Sequence, residues 1–146
     1  MKVFTMPHLF VYGCLMFPEI LEALIGKKYT LKGAVLQGYQ RVKVQTDDSI
    51  VYPVIVPETS GSVEGCLIRN VHPASMKKID VFEETEKCVY LKREVTVDLN
   101  NAENVKALTY VPGLAQKLRL TQLWNPDEFR KKDLQRCLNQ IRKSMV

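Results

Sequence analysis

Apolar and polar positions divide the chain into short β-rich runs separated by stretches of helical spacing. The first run, Leu9 to Tyr12, is apolar throughout and stops at Gly13. Cys14, Leu15, Met16 and Phe17 follow, and Pro18 is placed to open a helix whose apolar residues are Ile20, Leu21, Leu24 and Ile25. Gly26 stands as its C-terminal stop, and Lys27 and Lys28 complement the helix end. The pattern predicts strand, tight turn, helix.

From Thr30 to Gln45 alternation is partial, with Tyr39, Val42 and Val44 as strand formers and Gly33 and Gly38 expected at bends or bulges. Asp47, Asp48 and Ser49 supply a turn. Ile50 to Val56 predicts the next strand, with Pro53 pointing to an edge or a bulge, and Pro57 to Ser62 predicts a loop. Val63 to Val71 reads as another strand. Cys88 to Leu99 alternates, with Val89, Leu91, Val95 and Val97 set among Tyr90, Lys92, Glu94 and Thr96, before a turn at Asn100 and Asn101. Val105 to Val111 completes the set, ended by Pro112 and Gly113. The last helix has Asn125 as cap and Pro126 at its first position, then Asp127 and Glu128; Leu134, Cys137, Leu138 and Ile141 form its apolar stripe. Six strands and three helices predict an α+β fold, either a compact mixed β-barrel or a strongly bent sheet with helices against it.

The middle helix departs from the ordinary pattern. It is expected to start at Pro73, after His72, and at 3.6 residues per turn Met76, Ile79 and Glu83 fall on one side. A carboxylate thus takes a position normally given to a core side chain, while Glu84 and Glu86 stay on the polar side. An inward carboxyl is a candidate proton carrier; the plainer alternative is a glutamate paired with Lys or Arg at the helix end. The turn Tyr12-Gly13-Cys14-Leu15 is the second candidate, because N–H groups between a strand and a helix bind a carboxylate or a developing oxyanion. There the plainer alternative is a glycine that only shapes the corner.

At 146 residues the chain has the size of one domain, expected over 1–146. Apolar content of 46% and charged content of 25% match ordinary globular averages and speak against disorder. No apolar run reaches the roughly 18 residues that span a bilayer, so no membrane role is expected. Lys2 with Leu9 to Phe17 imitates a secretory leader, but Pro7, His8 and Gly13 interrupt it, and the cytoplasm is the expected compartment. Cys14, Cys66, Cys88 and Cys137 are widely spaced, with no CxxC and no neighbouring histidine, which predicts free thiols and no zinc or other metal site. The net charge of +5 is uneven: residues 1–113 hold 13 basic and 13 acidic side chains, and 114–146 hold 8 and 3. A basic tail without interleaved aromatics reads as a solvated helix face, so no nucleic-acid partner is expected.

Six segments carry a family likeness. Val11-Tyr12-Gly13-Cys14-Leu15-Met16 resembles the "YGSL" or "YGTL" loop that follows the first strand in the gamma-glutamylcyclotransferase-like family, which includes the plant avirulence-induced-gene proteins. Tyr52-Pro53-Val54-Ile55-Val56-Pro57 is similar to that family's "YPAIVP" strand, and Ser62-Val63-Glu64-Gly65-Cys66-Leu67 to its "xVxGxL" strand. Ile79-Asp80-Val81-Phe82-Glu83 resembles the "LDxFE" helix, whose last residue is the family's catalytic glutamate. Tyr90 stands where the family has the tyrosine of "YxR", and Trp124-Asn125-Pro126-Asp127-Glu128-Phe129 resembles its "WxPxxF" helix start. Together these cover most of residues 9–130 in order.

The resemblance implies a gamma-glutamylcyclotransferase-like fold and a cyclotransferase that releases 5-oxoproline and a free amine from a small-molecule gamma-glutamyl amine or peptide. It implies Glu83 as general base and acid, Tyr12, Gly13, Cys14 and Leu15 as the loop holding the glutamyl end, Tyr90 and Tyr110 beside the pocket, and no cofactor. A plain strand tyrosine is the alternative at Tyr110. Cys14 departs from the usual Ser or Thr of the loop, and Lys92 from the arginine of "YxR". Neither the released amine nor an oligomeric state is implied. Two rival readings stand beside this one: Cys14 as nucleophile with His8 or His72 as base, and a non-catalytic small-molecule or partner-binding protein that retains the fold.

Overall fold

Three residues of buried strand begin the ordered sheet in the computed structural model, which describes residues 6–45, 51–87, 90–112, 120–123, 126–132 and 134–144. Strand β1 (Leu9–Val11) runs into a single-turn 3-10 helix, Cys14–Met16, and then into α1 (Pro18–Ile25). Gly26 closes α1 in the left-handed region at φ 70°, its N–H bonding the carbonyl of Glu22, as expected of a glycine stop. There follow β2 (Leu31–Gln45), β3 (Val51–Ile68), α2 (Pro73–Lys87), β4 (Tyr90–Leu99), β5 (Asn104–Pro112), β6 (Leu120–Leu123), α3 (Pro126–Lys132) and α4 (Leu134–Ser144). No helix among the described residues is long and apolar enough to cross a membrane.

The strands run in the order β3-β1-β5-β4-β2, and β2 pairs back onto β3, so five of them close a barrel; β6 pairs with the far half of β2, opposite Val42 and Val44. Closure leaves β1 buried on both faces. Phe10 joins Leu36, Ile55, Val63, Val97 and Ala107 inside the barrel, while Leu9 and Val11 join Ile20, Leu21, Ile79 and Phe82 under the helices. That double burial explains why the run from Leu9 is apolar without alternation.

Four expectations need correction. Ile50 to Val56 and Val63 to Val71 are one strand, β3, which ends at Ile68. The loop expected at Pro57 to Ser62 survives only as a bulge, since Gln37 pairs with Ser62 and Tyr39 with Pro57, and the ladder to β2 resumes on both sides. Gly38, at φ 85°, lies opposite that bulge as expected, whereas Gly33 pairs in regular register with Cys66. Strand β6 was not anticipated, and the final helix is two segments, α3 and α4. The expected turn at 47–49, the cap at Asn125 with Trp124, and Cys88 lie outside the described residues. Proline is tolerated in β3 because Pro53 and Pro57 lie where the strand pairs with β2 alone, leaving its other edge for the missing donor.

Gly65 has a role that no turn demands. A Cβ built there would stand 2.5 Å from the carbonyl oxygen of Val11 and 2.6 Å from the Phe10 ring. The absence of a side chain therefore lets β1 lie against β3. At the other end of the site, Arg130 of α3 lies 4.7 Å over the Phe17 ring and places Nη1 2.7 Å from Oε2 of Glu19, while the rings of Phe17 and Phe129 stack at 5.2 Å. These contacts tie the C-terminal helices to the segment that follows β1.

Gly65→Ala is expected to destabilise the protein by about 1–3 kcal/mol through overpacking, whereas Gly33→Ala, with open space around its Cβ, is expected to be neutral or slightly stabilising. Urea denaturation of both variants checks the contrast, and equal effects would remove the role given to Gly65.

The hydrogen bond from Arg130 holds the Glu19 carboxyl below the usual carboxylate range. A folded-state value below the unfolded one means that the pair contributes at neutral pH and loses that contribution as pH falls through the folded value. Because both side chains are about half exposed, Glu19→Gln should cost about 1 kcal/mol or less at pH 7. The gap between the two proteins' denaturation midpoints should close in acid; a gap independent of pH would contradict the assignment.

Candidate functional site

Helix α2 is built to aim one carboxyl inward. Its first turn is capped by His72, whose Nδ1 accepts the N–H of Ala74 at 3.2 Å and whose carbonyl accepts that of Met76 at 2.9 Å. From that start Met76, Ile79, Phe82 and Glu83 all turn to the barrel, and Glu83 keeps only 4% of its surface exposed. The spacing argument that placed Glu83 among core positions therefore describes the observed helix.

The carboxyl does not meet an apolar wall. Glu83 lines a pocket with Phe10, Val11, Tyr12, Gly13, Cys14, Leu15 and Tyr110. The end of β1, the following turn, β5 and α2 thus converge on one point. The turn's own bonds run from the N–H of Met16 to the carbonyl of Gly13 and from Phe17 to Cys14, so they do not use the N–H groups of Gly13 or Leu15. The pocket is small, about 10 Å³, which is room for roughly one water-sized group.

Polar contacts fix the walls. The hydroxyl of Tyr12 donates to the carbonyl of Tyr110 at 2.7 Å, and the hydroxyl of Thr109 donates to the carbonyl of Phe10 at 3.0 Å, both buried, so β1 and β5 are cross-linked by side chains as well as by their parallel pairing at Leu9 and Leu108. Tyr110 reaches α2 instead of solvent: its hydroxyl donates to Oδ1 of Asp80 at 2.5 Å and lies 3.8 Å from the Met76 sulfur. The other carboxylate oxygen of Asp80 accepts from Nζ of Lys92 at 3.0 Å. Lys92 and Tyr110 are direct cross-strand partners, so one carboxylate is shared by two neighbours on adjoining strands. The lysine at the arginine position of "YxR" thus places a cation on Asp80.

Asp80 lies one helical turn before Glu83 and was given no role from the sequence, although its spacing of three puts both on neighbouring positions of one helix side. Arg41 was missed altogether. It sits on β2, and its Nη1 donates to the carbonyl of Tyr12 at 2.8 Å and to that of Glu64 at 3.0 Å. In the pattern around Tyr39 it reads as an ordinary solvent-side strand residue. Tyr90 opens β4 opposite Pro112, and its side chain lies outside the described residues.

The histidines are engaged elsewhere. Nδ1 of His8 accepts the N–H of Asn70 at 3.0 Å, and Nδ1 of His72 serves the cap. Neither lines the pocket that Cys14 lines, so the thiol has no histidine at the site to act as its base. Among the described residues Cys14, Cys66 and Cys137 form no disulfide, and burial raises the Cys66 thiol above the usual range.

A five-stranded barrel in which the turn after β1 and a buried carboxyl of α2 line one pocket defines the class of fold. The chain belongs to the gamma-glutamyl cyclotransferase, AIG2-like family, whose model matches residues 9–130. It is 32% identical over 126 residues to AIG2-like protein C of Arabidopsis thaliana, covering 86% of this chain and 70% of that protein. Its identity to protein AIG2 C of the same plant is 30% over 141 residues, covering 94% and 81%. Among solved structures, an Arabidopsis thaliana protein determined in solution superposes with a TM-score of 0.68 at 29% identity, over 99% of this chain and 86% of that one. A structure titled gamma-glutamyl cyclotransferase gives 0.68 at 13% identity, over 92% and 85%, a likeness of fold.

Tyr12→Phe is expected to leave the buried Tyr110 carbonyl without this donor and to cost about 1–3 kcal/mol. A lower urea midpoint with an unchanged slope would agree; an unchanged midpoint would show that the cross-link contributes nothing.

Proposed function

We propose that the protein is a cyclotransferase acting on gamma-glutamyl amides, releasing 5-oxoproline and a free amine in the cytoplasm, with no cofactor. The observation that carries this reading is that Glu83, buried on α2, lines the same pocket as the Tyr12–Leu15 loop. Family membership and a shared fold support the reaction class.

The chemistry asks little of the protein. The α-amine of a gamma-glutamyl group attacks its own gamma-carbonyl, a C–N bond closes the five-membered lactam, and the original amide C–N bond breaks. Folding the substrate into the reactive shape supplies the intramolecular advantage. The Glu83 carboxylate takes the proton of the attacking ammonium and returns it to the leaving amine, so a single group serves as base and then as acid. N–H groups of the loop hold the glutamyl end, and those nearest the gamma-carbonyl stabilise its oxyanion. Tyr110, held by Asp80, forms the wall beside the reacting centre.

The alternative is that the fold binds a small molecule or partner and turns nothing over. A panel of gamma-glutamyl amides assayed for 5-oxoproline separates the two. Wild-type turnover with a loss of about 100-fold or more in Glu83→Gln matches a general acid-base role. Equal activity in both proteins would make Glu83 structural, and no turnover by either would favour the binding reading.

A further inference from the structure

The guanidinium of Arg41 reaches the main chain of the candidate site from outside the pocket. Nη1 bonds the Tyr12 carbonyl at 2.8 Å and the Glu64 carbonyl at 3.0 Å, so one cationic nitrogen bridges the end of β1 and the adjoining stretch of β3. The arginine is partly buried, desolvation lowers its basicity, and the nearby carboxyl of Glu64 opposes that loss. A partly buried cation committed to two backbone carbonyls holds the corner between β1 and β3.

The Tyr12 carbonyl and the Gly13 N–H belong to one peptide group. All described peptide bonds are trans, so the two point in opposite directions. With the oxygen held by Arg41, the N–H points away from that contact, and Gly13 itself lines the pocket together with Tyr110 and Glu83. Glycine at 13 has no Cβ to resist rotation of this group, so the orientation needs an external restraint. A charge-assisted bond on the oxygen also polarises the peptide and strengthens its N–H as a donor.

We propose that Arg41 is a positioning residue that locks the Tyr12–Gly13 peptide with its N–H turned into the Glu83 pocket, where that N–H binds the glutamyl end of the substrate. The proposal rests on the cyclotransferase reading for the identity of the ligand, but not for the orientation of the peptide. Arg41 acts through the main chain and touches no reacting atom.

Two measurements on Arg41→Met and Arg41→Lys keep these apart. In steady-state assays of 5-oxoproline release, Arg41→Met should raise KM by about 10- to 100-fold, the scale of a hydrogen bond to a charged group, while kcat stays within about threefold. Arg41→Lys, which keeps a cation able to reach one carbonyl, should recover part of the loss. Glu83→Gln should show the opposite split, losing kcat and keeping KM. In amide NMR spectra, the Gly13 proton should move upfield in Arg41→Met and return partway in Arg41→Lys, with Val97 in the barrel wall unmoved as the check on folding. An unshifted Gly13 amide, or a KM that does not change, overturns the positioning role. If the wild-type protein turns over no gamma-glutamyl amide, the cyclotransferase reading fails and the Gly13 resonance alone decides for or against Arg41. Should Arg41→Met not fold, Arg41→Lys carries both measurements with the same signs.

Discussion

Strand β1 can occupy the seam of the barrel because nothing projects from residue 65. A methyl group there would have to share space with the Val11 carbonyl and the Phe10 ring. Once that space is open, three residues suffice to join β3 on one side and β5 on the other, and Leu9 and Phe10 lose all contact with solvent. The chain then leaves the seam at a fixed point and direction, and the turn at Tyr12 to Leu15 is delivered to the open end of the barrel. Everything proposed for the site depends on that delivery.

The second wall is set by α2, and here the fold economises on charge. Asp80 is the half-exposed member of the helix pair; it takes the hydroxyl of Tyr110 and the ammonium of Lys92, and so joins α2 to β5 and β4. Glu83, one turn later, is the buried member, and it faces the loop. Two carboxylates on one helix side thus occupy different surroundings: one is committed to structure and the other borders the pocket.

How much of this could be read from the chain depends on whether the cause was local. The strand, turn and helix around Gly13, the glycine stop at residue 26, the start of α2 at Pro73 and the inward aim of Glu83 all follow from spacing and breakers within a few residues, and all are present. What escaped was set by partners distant in sequence. Pro57 to Ser62 looks like a loop until β2 is known to continue alongside it, and β6 is a strand only because Val42 and Val44 lie next to it. Leu91 has the parity of Val95 and Val97 but is 46% exposed. Arg41 carried no local signal, because its partners are carbonyl groups and any residue could have supplied those. The family motifs named Glu83 and the loop directly, but they gave no sign that Lys92 would bond Asp80.

The cross-links between β1 and β5 also bear on the order in which the protein takes shape. Tyr12 bonds a carbonyl 98 residues further on, and Thr109 bonds one 99 residues back. The earliest of the described strands is therefore among the last to find both of its neighbours, and until β5 is made one edge of an apolar strand stays uncovered. No N-terminal fragment that stops short of β5 can assemble the pocket, however well its helices form. During synthesis this leaves an interval in which Leu9, Phe10 and Val11 form a sticky, unpaired edge, the kind of surface that chaperones recognise.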